Sequence, residues 1–224
     1  MVVDITVRGE AEGRYPAERA IVTLAAAVER AEKQQAYDQA ASVQQAVTAQ
    51  LTELADRGAV LDWSSDQVSV YSHRPLLVNG DPVPAGGAPS RSPVHVARVE
   101  IVAEFSDFNR LGGFIDYWAS RDGVEIAGIV WDVLERNRRV YENELRRAAV
   151  DDAVIRAQTY ADALRRGRVV ATRIADPGLL DSGGGPRPYA LKMESAMADT
   201  AGSLQLTPEP VRIHVAVDAG FIAD

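Results

Sequence analysis

The most constraining stretch lies near the C-terminus, where Val211, Ile213, Val215 and Val217 alternate with Arg212, His214, Ala216 and Asp218. Successive strand side chains point to opposite faces, so this pattern buries one face and wets the other. A strand of that kind needs something to cover its apolar face, and the sequence offers two long helical patterns for the purpose. Ala36, Ala40, Val43, Val47, Leu51 and Leu54 recur at steps of three and four between about Glu29 and Arg57, with Gly58 as a stop. Leu145, Ala149, Ala153, Ala157, Tyr160 and Leu164 do the same between about Arg136 and Arg166, with Gly167 as the end. In that second helix, small residues four apart are expected to face a sheet, because they let the backbones approach closely.

The remaining segments fit around these elements. Ile5 and Val7 share one face of an N-terminal strand, Val22, Leu24, Ala26 and Val28 share one face of the next, and "RYPAERA" between them carries a turn proline, the pattern of a hairpin. "DQVSVYSH" resumes alternation through Val68 and Val70, and Ala97, Val99, Ile101, Ala103 and Phe105 line a strong strand. A short helix with Ser106 as N-cap places Phe108, Leu111, Ile115 and Trp118 on one side and closes at Gly123. "VEIAGIVWDV" and "RVVATRIA" read as strands, and loops rich in Gly and Pro are expected at about 74–93 and 181–208. The order is ββαββαβαββ.

The segment "VRGEAEG" at 7–13 brackets Glu10 with Gly9 and Glu12 with Gly13, which raises an acid pair or a phosphate loop as possibilities. A phosphate loop ends at a helix N-terminus, whereas this segment runs into Pro16 and another strand. Glu10 and Glu12 are therefore expected to be structural, projecting from one face of an edge strand where charge discourages aggregation. Gly9 and Gly13 mark a bulge or a close backbone approach.

Composition removes several function classes. The chain has no cysteine, so disulfides and thiolate chemistry are excluded. A formal charge of −8 and a pI near 5.0 argue against nucleic-acid binding. The arginines at 136, 138, 139, 146 and 147 lie at helical spacing beside Glu135, Glu142 and Glu144, as on a solvated face. No membrane span is expected, since no apolar run approaches ~18 residues. The first ten residues show no basic region followed by an apolar run, so the cytoplasm is the expected compartment.

Other candidates for chemistry carry structural readings. "DSGGGP" at 181–186 lacks the context of a serine-protease nucleophile, and His73, His95 and His214 stand apart from one another without metal-site spacing. Asp151 and Asp152 suit a solvated turn or an interhelical ion pair, while Trp118, Trp131 and Tyr160 suit core anchoring. No catalytic residue, metal ligand or cofactor site is assigned.

The segments "ITVRGEAEGRYPAERAIVTLAAAVE", "FIDYWASRDGVEIAGIVWDV", "AAVDDAVIRAQTYADAL" and "LTPEPVRIHVAV" together resemble the SIMPL domain family, whose bacterial members include periplasmic immunogenic proteins. The resemblance runs from about Asp4 to Asp218. It implies an α+β fold with a mixed, mainly antiparallel sheet and long helices packed on it, and large ring-like homo-oligomers for some members. It supplies no catalytic residues. One SIMPL-like domain over residues 1–224 is expected, non-enzymatic, acting through self-association or by binding a protein partner. The alternative is a small-molecule binder or hydrolase with a pocket between the sheet and the long loops, into which Glu100, Glu104 or Asp132 would converge.

Overall fold

The computed structural model describes residues 2–73, 93–179 and 206–224. Both expected loops fall almost wholly outside these residues, as does "DSGGGP". The described residues form eight strands and three helices in two compact units. Unit one draws on residues 2–17, 133–179 and 208–224, and unit two on 18–73, 93–132 and 206–207. The fold is α+β with antiparallel sheets, as expected, and the order matches apart from one additional strand.

In unit two, β2 (Arg19–Arg30) lies between β5 (Val94–Phe105) and β6 (Val124–Asp132), all antiparallel. The other edge of β5 takes two short strands, β3 (Val60–Ser65) at one end and β4 (Ser69–His73) at the other. β3 is the strand the sequence does not announce. Its six residues include Asp62 and only one fully buried position, so it has no clean alternation and forms because β5 offers it an edge. Helices α1 (Lys33–Asp56) and α2 (Phe108–Ala119) bury Val47, Leu51, Leu111, Phe114 and Trp118 with Val22, Leu24, Ile101 and Phe105. Gly58 ends α1 at φ +75° as read from the sequence. The N-cap of α2 is Asp107 rather than Ser106, because the Asp107 carboxylate accepts from the amides of Asn109 and Arg110. Ser106 instead donates its hydroxyl to the Gly58 carbonyl.

In unit one, β1 (Val3–Tyr15) pairs with β8 (Val211–Ala223) over thirteen residues in unbroken register, and β7 (Val170–Ala175) adds to the other side of β8. The expected β1–β2 hairpin is therefore not formed. A turn proline marks where the chain leaves one strand but carries no information about the next partner. β1 finds a strand of its own length 210 positions away, and β2 joins the other sheet.

Helix α3 (Glu135–Ala163) covers β1 and β8. Leu145, Ala149, Ala153 and Ala157 face the sheet as read, but Ala161 continues the stripe. Tyr160 and Leu164 are exposed, so Tyr160 is not a core anchor. A helix held this close to a sheet accepts methyl groups where a phenol ring would not fit.

The helix stops before Gly167. Arg165 takes φ +55°, its amide donates to Asp162 O at 2.9 Å, and the Arg166 amide donates to Ala161 O at 2.8 Å, a Schellman closure with arginine in the usual glycine place. The left-handed conformation costs a side-chain-bearing residue about 1–2 kcal/mol. Glycine's larger unfolded-state entropy offsets part of that relief. Arg165→Gly should therefore raise stability by about 0.5–1 kcal/mol in urea unfolding, while Arg165→Val should lower it.

Candidate functional site

The glycine-bracketed segment folds into the middle of β1, where odd-numbered residues face α3 and even-numbered ones face outward. The odd face carries Ile5, Val7, Gly9 and Ala11, packed with Ala149, Ala153, Val217 and Phe221. Gly9 is the point of closest approach. A Cβ there would stand 2.0 Å from Ala149 O and 2.7 Å from Ala153 N, so both helix backbone and side chain occupy the space. Gly9 is not in a left-handed conformation, so space alone dictates the residue. Towards the C-terminal end of β1, Tyr15 stacks on Tyr141 of α3 with ring centroids 3.9 Å apart.

That approach brings two charged side chains of α3 to the open edge of β1. Asp152 Oδ2 accepts the Glu10 amide proton at 2.9 Å, and Arg156 donates to the Arg8 carbonyl at 3.1 Å. Arg156 Nε also pairs with Asp152 Oδ2 at 2.8 Å. Asp152 thus sits in mid-helix in an intrahelical ion pair, rather than in the turn or interhelical pair expected. Glu10 and Glu12 are exposed on the outward face, opposite Ala216 and His214 of β8.

On the same outward face, Arg8 stands opposite Asp218 in the register. Arg8 Nε donates to Asp218 Oδ1 at 2.7 Å and a second guanidinium nitrogen donates to Oδ2 at 3.2 Å, while the Gly178 amide donates to Oδ2 at 2.8 Å. Asp218 is the one buried charged residue among the described residues. The hydrogen bonds from Arg8 hold its carboxyl below the ordinary aspartate value, with help from Gly178 and against the penalty of burial. The carboxylate therefore joins β1, β8 and the turn that follows β7.

The acids proposed for a ligand pocket belong to unit two and are directed elsewhere. Glu104 and Asp132 converge on Arg19, at 2.9 and 2.7 Å. Burial works against the Arg19 charge, but hydrogen bonds and attraction from Asp132 and Glu104 outweigh it, so the guanidinium is held protonated more firmly than a free one. Glu100 stays exposed. An open groove of about 510 Å³ runs between α1 and α2, lined by Ser42, Val43, Ala46, Tyr117 and Arg121 among others. None of those acids lines it. His95 meets the Ser72 hydroxyl at 2.7 Å, and no cluster of three metal-ligating side chains occurs among the described residues. Trp118 is buried and donates to Gln50 at 2.7 Å. Arg139 and Arg146 pair with Glu135 and Glu142 along the exposed face of α3.

No described helix is long and apolar enough to cross a membrane. Residues 5–221 match the family described as SIMPL, protein of unknown function (DUF541), over a span that takes in both units. The chain belongs to the SIMPL family. No curated protein matches it. One of the segments that carry the SIMPL resemblance, β1 with its glycines, is also the strand around which this arrangement is built.

The Arg8–Asp218 pair sets an acid-side dependence. A carboxyl whose folded-state pKa is depressed contributes full stability above its ordinary value, here 3.8, and loses it as pH falls through the lower folded value. Asp218→Asn should cost about 1–3 kcal/mol near neutral pH. Its stability should then decline less steeply than wild type on acidification, with the two curves converging at the acid end of a urea-unfolding series.

Proposed function

We propose that this SIMPL protein works by association, as a homo-oligomer or bound to another protein, and performs no catalysis. The observation that supports this reading is at β7, the edge strand of the three-stranded sheet opposite β1. Val170 and Ile174 are each 59% exposed there, and Leu179 in the following turn is 76% exposed. Large aliphatic side chains on a strand edge that pairs with no strand among the described residues favour contact with another chain, since burying each fully gains about 1.5–3 kcal/mol. Two of the charged clusters of unit one are internal to it: Arg8 pairs with Asp218, and Asp152 with Arg156 and the β1 edge.

Sedimentation velocity across a concentration series tests the reading. Concentration-dependent association is expected, and Val170→Asp combined with Ile174→Asp should weaken it. A monomer at every concentration contradicts self-association, and undiminished association of the double variant removes β7 from the contact.

A further inference from the structure

We propose that the Asp152–Arg156 pair is a guard holding shut a self-complementary strand edge, and that the strand it excludes is β1 of a second copy of this chain. This goes beyond the association proposed above, because it concerns the opposite edge of the sheet and says which surface association avoids.

The first support is the hydrogen bonding. A strand added antiparallel to β1 would accept the Glu10 amide proton and donate to the Arg8 carbonyl. Asp152 and Arg156 already do both, at 2.9 and 3.1 Å, and their mutual contact at 2.8 Å fixes them in place. The guard is delivered by the fold, since Gly9 between the two peptide groups lets α3 come close enough for both side chains to reach them.

The second support is the strand's own sequence. Set antiparallel to itself about Gly9, β1 places Arg8 opposite Glu10 of the second copy and Asp4 opposite Arg14, each twice by symmetry. Thr6 meets Glu12, so no like charges oppose on that face. The other face sets Val7 opposite Ala11 and Ile5 opposite Gly13. Opposite-charge cross-strand pairs stabilise a sheet, so this edge is matched to a copy of itself. The two residues flanking the symmetry point, Arg8 and Glu10, are the ones whose backbone groups the guard occupies.

The test compares self-association of wild type, Glu10→Pro alone, Asp152→Ala/Arg156→Ala, and that double variant with Glu10→Pro, by sedimentation equilibrium, with circular dichroism confirming that each is folded. Proline at position 10 removes the outward amide without touching the β1–β8 ladder. Removing the guard should strengthen self-association by about tenfold or more, as expected for two hydrogen-bonded symmetric pairs with their charges. Adding Glu10→Pro should return it to the wild-type level. Three results overturn the proposal: unchanged association of the folded double variant, association that persists with Glu10→Pro, or wild-type association that Glu10→Pro alone abolishes, which would show the edge already in use.

Discussion

Unit one is organised by the contact between the alanine stripe of α3 and the bare backbone at Gly9. Each buried alanine contributes only about 0.8 kcal/mol through its methyl group, so small residues hold a helix to a sheet only when the two come near enough for backbone dispersion to add. Ala149, Ala153, Ala157 and Ala161 provide that on the helix side, all fully buried. Gly9 provides it on the sheet side, and Val7, Val217 and Phe221 fill the space around it.

The polar arrangement follows from that spacing. With α3 seated on β1, Asp152 and Arg156 reach around the strand to the backbone groups on its free edge, and those groups need no neighbouring strand. On the face away from the helix, the thirteen-residue β1–β8 register brings Arg8 to Asp218, and Asp218 in turn fixes the Gly178 amide after β7. The two edges of the sheet end up unlike. The β1 edge is capped and charged, whereas the β7 edge is short and exposes Val170 and Ile174. The association proposed at β7 and the exclusion proposed at β1 both rest on this asymmetry of one sheet.

Features encoded within a few residues were legible beforehand. The alternation of residues 211–217 is β8, the spacing of Ala149, Ala153 and Ala157 marks the buried side of α3, and Gly9 is a place of close approach. Spacing alone points the stripe to Tyr160, since steps of three and four are equally helical, and only the tightness of the contact selects Ala161. Partner choice was not legible. Pro16 reads as a hairpin turn whichever sheet receives β2, and the pairing of Arg8 with Asp218 exists only through a register set 210 positions away. Asp152 and Arg156 at i, i+4 look like any surface ion pair until the strand beneath them is known.

The closeness of α3 to β1 is most directly measured by urea unfolding of Gly9→Ala. In an unobstructed strand that change stabilises, by roughly 0.5–1 kcal/mol, because alanine has less conformational freedom to lose on folding. Here the added methyl group meets the Ala149 carbonyl and the Ala153 backbone, so a loss of about 1–3 kcal/mol or more is expected. Unchanged or increased stability in Gly9→Ala would contradict the account, since it would mean that helix and strand are not in contact at Gly9.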